Sequence, residues 1–152
     1  MHRAALTVAA TLVLTSCGSD KSASGGEDAH HLAAGNRSVG QVLVDASGRT
    51  LYVFLRDVRG HASACAGACL ATWSALEGSV RAGDGVDSGL IGSITRGDGT
   101  EQATYAGWPL YYFAEDHSPG DLHGQGRQGA WFVLSPEGDV IERSATNGGA
   151  GY

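Results

Sequence analysis

The chain is poor in lysine, lacks any convincing helical period and carries no apolar run long enough to cross a bilayer. Lys21 is the only lysine among 152 residues, and no stretch interleaves basic with aromatic side chains, so nucleic acid is not expected as a partner. The N-terminal apolar run AALTVAATLVL holds 11 residues behind a short basic start. That is too short for a membrane-spanning helix and suits the core of a secretory signal peptide. No segment of 12 or more residues repeats its apolar positions with helical spacing between caps. A strand-dominated fold is what remains. The Gly-x-Ser-x-Gly elbow of hydrolases and the Cys-x-x-Cys-His haem attachment site are also missing, and no other strong catalytic signature stands in their place. The chain is not expected to be an enzyme.

Cysteine is scarce, at three residues, and the first lies directly behind the apolar run. The segment LTSC, from Leu14 to Cys17, resembles the bacterial lipobox. The resemblance implies that residues 1–16 are removed and that Cys17 becomes a lipidated N-terminus. Each buried CH₂ contributes about 0.8 kcal/mol to membrane binding, and stable anchoring generally needs more than one chain. The mature chain has 9 basic and 16 acidic residues, net −7, so the lipid rather than surface charge is its expected link to the membrane. The expected location is extracytoplasmic, on the bacterial cell membrane. Residues 18–36 hold no aromatic or β-branched side chain, which predicts a flexible tether over 17–36. His30 and His31 fall in it, as solvated residues or as an adventitious metal-binding pair.

From Val39 onward the signals are those of strands. QVLVD and TLYVFL are separated by ASGR, which predicts a hairpin; EQATY with LYYF, and WFVL with VIER across SPEGD, predict two more. Leu90 to Thr95 reads as a further short strand between them. Glycine is unusually frequent, 24 of 152 residues, and follows no three-residue period, so it marks tight turns between short strands. The expected domain runs over 37–145, with a flexible tail at 146–152.

Within that domain LYVFLRD, Leu51 to Asp57, returns 59 residues later as LYYFAED, Leu110 to Asp116. Trp73 follows the first Asp by 16 residues and Trp131 follows the second by 15. Rare residues agree, so the chain contains an internal duplication, with repeats at about 40–76 and 101–141. Alternation puts Tyr52 and Phe54 on one face of their strand and Leu51, Val53 and Leu55 on the other. Both faces are apolar, which suits a strand in the middle of a compact all-β sandwich or barrel built from two pseudo-twofold-related units.

The motif Tyr-x-aromatic-x-x-Asp, present as Tyr52, Phe54, Asp57 and as Tyr111, Phe113, Asp116, resembles that of the secreted-repeat lipoproteins of bacteria. The likeness includes GRTLYVF, the Cys65 and Cys69 pair, Trp73, GWPLYYF, PGD, GQG and WFVLSPEG. Trp73 is followed by Ser74 and Ala75 where the family pattern leads one to expect prolines. The resemblance implies no established activity.

Asp57 and Asp116 each end a strand, and the expectation is structural: a carboxylate accepting backbone N–H bonds as the chain turns. The alternative pairs them across the pseudo-twofold as acid and base or as cation ligands. Cys65 and Cys69 form an even pair in an oxidising compartment, which predicts a disulfide. The sharper alternative uses the spacing of four between His61, Cys65, Cys69 and Trp73: one helical stripe would offer a histidine and two thiolates to copper in the Cu(I) state. No cofactor is otherwise expected. His117 and His123 read as exposed loop residues that, with Asp116 and Asp121, could bind a cation. GQGRQG spells a dinucleotide-binding pattern but precedes a strand instead of following one, so it is read as loop geometry. Trp108 and Tyr112 are expected in the core. The chain thus reads as a lipid-anchored envelope protein with a binding or structural β domain for an unknown envelope protein or small ligand; the alternative is a copper-binding or thiol-redox protein.

Overall fold

The computed structural model of the chain describes residues 30–144. Cys17, the signal peptide, most of the expected tether and the tail at 146–152 lie outside them. Strands dominate in the order β1 (His30–Arg37), β2 (Gly40–Asp45), β3 (Tyr52–Phe54), β4 (Trp73–Ala75), β5 (Val80–Ala82), β6 (Ile91–Thr95), β7 (Glu101–Tyr105), β8 (Trp108–Pro109), β9 (Tyr111–Phe113), β10 (Trp131–Leu134) and β11 (Val140–Ile141). One α-helical turn, α1 (Cys69–Thr72), precedes β4, and a 3-10 turn over Arg127–Gly129 precedes β10. Neither is long enough to cross a membrane. The fold is all-β, in three sheets, with no closed barrel: β2-β1-β5, β11-β10-β3-β9-β4, and β6-β7-β8.

The strand β1 corrects the expected tether, which ends before His30 and not at residue 36. HHLAAGNR carries little intrinsic preference for a strand, but its partners supply one. It pairs with β2 through six register positions from Leu32↔Asp45 to Arg37↔Gly40, and with β5 in parallel. Leu32 is fully buried. Small residues suit the close approach: a Cβ on Gly35 would sit 2.7 Å from Val44 Cγ1. Each repeat therefore begins a strand earlier than expected, at β1 and at β6.

The first two expected hairpins close as turns and then diverge. Leu51 N–H reaches Leu43 O and Val44 bridges Thr50, after which β3 leaves for the central sheet. In the second repeat β7 pairs with the two-residue β8, and Leu110 N–H reaches Ala103 O before β9 likewise leaves. Only β10 and β11 form the third hairpin as expected.

The central sheet carries the duplication. Tyr52 pairs with Tyr111, its own counterpart, so the pseudo-twofold axis passes between β3 and β9. On one side Trp131 opposes Phe54; on the other, Trp73 opposes Phe113. Each repeat's tryptophan strand thus pairs with the other repeat's motif strand. Alternate residues of β3 fall into two buried clusters: Tyr52 and Phe54 with Trp73, Tyr111, Phe113 and Trp131, and Leu51 and Val53 with Leu110, Tyr105 and Leu134. Burial on both faces is what the doubly apolar strand pattern predicts.

Candidate functional site

The six motif residues and two tryptophans converge on the pseudo-twofold axis. Phe54 stacks on Trp131 at 4.2 Å, Trp131 on Trp73 at 3.8 Å with planes 1° apart, and Trp73 packs on Phe113 at 4.4 Å. The four rings form a column in which the repeats alternate. Tyr52 meets Trp73 edge-on at 5.4 Å, and Tyr111 meets Trp131 edge-on at 5.1 Å. Such contacts add about 0.5–1.5 kcal/mol per pair beyond area burial.

Each motif tyrosine is spent on the other repeat's motif aspartate. Tyr52 Oη donates to Asp116 Oδ2 at 2.6 Å, and Tyr111 Oη donates to Asp57 Oδ2 at 2.8 Å. The other oxygen of each aspartate holds its own loop seven residues on: Asp57 Oδ1 accepts from Ala64 N–H at 2.6 Å and Asp116 Oδ1 from His123 N–H at 2.9 Å. All four side chains are buried. Burial pushes the Tyr52 hydroxyl well above its usual range, with the Asp116 carboxylate adding to the shift, and pushes Tyr111 up to about 12. Burial also raises the Asp57 carboxyl, overcoming the Ala64 and Tyr111 hydrogen bonds and the Arg96 charge that pull it down. The aspartates do turn the chain after each strand, and each also locks the two repeats together. They are not paired with one another.

Around these two latches the loops differ. In the first repeat Cys65 and Cys69 form a disulfide. The helical stripe expected to align them with His61 does not exist: α1 includes only Cys69, because Val58 and Ala62 bond to each other in a tight bridge and Ala64 is held by Asp57. His61 is exposed and is not gathered with the cysteines. Sulfurs joined to each other offer no thiolates to copper.

In the second repeat Gly124 takes the position of Cys65. A Cβ there would lie 2.8 Å from both the Tyr52 and the Trp73 rings, and its N–H donates to Tyr52 Oη at 3.2 Å. The GQG motif is thereby a packing and hydrogen-bonding feature of the latch. Gln125 pins the following turn: Nε2 donates to Ile141 O at 2.6 Å and Arg143 O at 2.9 Å, while Oε1 accepts from Val133 N–H at 2.9 Å. Asp116, Asp121 and His123 come within 4.8 Å of one another. Their atoms are already engaged internally, since Asp121 Oδ2 accepts from His117 and Ser118 N–H, both at 2.8 Å, and His123 Nδ1 lies 3.2 Å from Asp116 Oδ1. His117 does not join them. Tyr112 and Trp108 are half-buried against the second cluster, and Tyr112 Oη donates to Asp45 Oδ2 at 2.9 Å.

One buried polar residue escapes a reading by motif. Arg96 is 8% exposed and reaches into the first repeat's loop, donating from Nη1 to Ser63 Oγ at 2.9 Å and Gln102 Oε1 at 2.6 Å, and from Nη2 to Cys65 O at 2.6 Å. Ser63 Oγ in turn shares a 2.6 Å hydrogen bond with Tyr111 Oη. The signal for it lay in the repeat itself, because Arg96 stands 59 residues after Arg37, each at the end of its hairpin's first strand.

A family model named Lipoprotein_15, a secreted repeat of unknown function, matches residues 33–77 and 92–135, together more than half of the chain. Each matched segment contains one strand pair of the outer sheets, one motif strand and one tryptophan strand. No curated protein and no solved structure matches the chain.

Proposed function

The chain belongs to the Lipoprotein_15 family of secreted repeats, and from that membership we propose that it is a lipid-anchored envelope protein whose β domain binds or braces without catalysing. Membership of a secreted family makes the domain extracytoplasmic. The finer claim of anchoring rests on LTSC behind the apolar run, which would leave lipidated Cys17 as the mature N-terminus. The observation that carries the non-catalytic reading is the pair of latches: the family's defining tyrosines and aspartates hydrogen-bond each other, buried, and none is left poised toward solvent for acid-base work.

The test has two arms. Cells expressing the full chain and fed an alkyne-tagged palmitate are expected to label it, and Cys17→Ser is expected to remove the label and release the protein from the membrane fraction. An unlabelled wild-type protein would overturn the anchor. Asp116→Asn is expected to lower unfolding stability by roughly 1–3 kcal/mol. Unchanged stability would overturn the structural reading of the motif.

A further inference from the structure

A cleft of about 300 Å³ opens beside the first repeat's latch, between the loop closed by the disulfide and the turn after β6. Ser63, Ala66, Gly67 and Leu70 line one wall, and Arg96 and Asp98 belong to the other. We propose that this cleft binds a small α-amino carboxylate, with the ligand's carboxylate on Arg96 and its ammonium group on Asp98. The proposal rests on the reading of the domain as a binding module and names a ligand class for it.

The carboxylate half follows from the hydrogen-bond inventory of Arg96. A guanidinium has five N–H donors, arranged in forks that match a carboxylate. Three of them go to Ser63 Oγ, Gln102 Oε1 and Cys65 O, all uncharged acceptors. Ser63 Oγ and Cys65 O are themselves only 3.2 Å apart, so together they occupy the outer edge formed by Nη1 and Nη2. The edge formed by Nε and the second Nη2 hydrogen is left, and Nε is a buried donor without a partner. No carboxylate forms a salt bridge with Arg96 among the described residues. A buried charge left without a direct counter-ion is costly. Its repeat counterpart shows the contrast: Arg37, partly exposed, pairs Nε with Thr50 Oγ1 at 3.0 Å and Nη2 with Gly48 O at 2.7 Å.

The ammonium half follows from Asp98. Its Oδ1 accepts from Thr100, while Oδ2 takes part in no hydrogen bond within the domain. A free acidic oxygen on the rim disfavours a dianion such as phosphate and suits a cationic group. Leu70 and Ala66 leave an apolar wall for a short aliphatic side chain.

The full chain in detergent is titrated with L-alanine, N-acetyl-L-alanine and inorganic phosphate, followed by calorimetry and by amide shifts at Gly67 and Gly97. Saturable binding of L-alanine is expected, with N-acetyl-L-alanine weaker and phosphate weakest. Arg96→Lys, which keeps the charge and loses the fork, is expected to weaken L-alanine by roughly 10- to 100-fold. Ala66→Phe fills the cleft from an exposed position without touching Arg96 and is expected to abolish binding. No saturable response to any probe, or binding that survives Ala66→Phe, would overturn the site. Equal affinity for the free and the acetylated amino acid would overturn the role of Asp98 and with it the ligand class. A chain that binds none of these yet keeps its palmitate label and its Asp116→Asn stability loss would remove this ligand and leave the anchored, non-catalytic reading standing.

Discussion

Between its aspartate and its tryptophan the first repeat places Cys65 and Cys69, where the second places Gly124 and Gln128. Both stretches have the same task, to bring the chain from the latch back to the central sheet through one short helical turn. The first does so with a covalent bond, the second with a glycine pressed on two rings and a glutamine bonded three times. Conformational restriction is interchangeable between the two devices. The surface each leaves is not. Where the first repeat has Ala62 and Ala64 beside its latch, the second has Asp121 and His123. Conversely, Arg96 is drawn into the first loop with an edge unpaired, while Arg37, its counterpart, is satisfied at the second. Symmetry holds where the core is built and lapses where a ligand could reach.

The largest effects should fall on the symmetric part and be equal between repeats. Trp73→Ala and Trp131→Ala each remove the centre of the ring column and should cost about 3–5 kcal/mol in urea unfolding. Because the two rings stack on each other, the double variant should lose less than the sum. Losses differing by more than half would break the equivalence of the two repeats. Smaller and again matched losses, about 1–3 kcal/mol, are expected for Tyr52→Phe and Tyr111→Phe, since each leaves a buried carboxylate short of a donor. Thermal or urea melts of the pair would sharpen the comparison: Ser63 can still reach the first latch, so Tyr111→Phe should be the milder of the two. The gentlest test is alkaline pH. Tyr111 has its folded pKa raised from 10.0 to about 12, so its contribution is fully present below pH 10 and is lost as pH rises toward 12. In that window the unfolded chain releases the proton first, which tips the balance toward unfolding. Tyr111→Phe should flatten part of this slope, and a profile identical to wild type would argue against a buried phenol.

The duplication and the doubly buried motif strands were legible because rare residues repeat at one offset and because a strand apolar on both faces has few places to go. β1 was not, because Ala33, Ala34 and Gly35 carry no strand preference and acquire one only against Val44 and β5. The crossing of β4 and β10 between repeats was not legible either. Alternation tells which face a residue takes and says nothing about which neighbour lies beside it. That is why Asp57 and Asp116 read as local turns: the partner that makes each one matter, Tyr111 or Tyr52, is more than fifty residues away. Arg96 was hidden for a related reason, since a charged residue after a strand resembles a solvated turn until the loop it enters is known.

The exchange of hydrogen bonds between the repeats also sets the order in which the chain can assemble. The latches join residues 64 and 54 positions apart, so both require loops of that length to close before either aspartate is satisfied. Closing such loops is slow, and nothing local rewards it in advance. Neither repeat holds a complete core or a complete latch on its own, so a half-folded molecule has no stable resting point. Folding is accordingly a single cooperative event, and a ribosome or translocon that has released only the first repeat has released a chain still waiting for its second half.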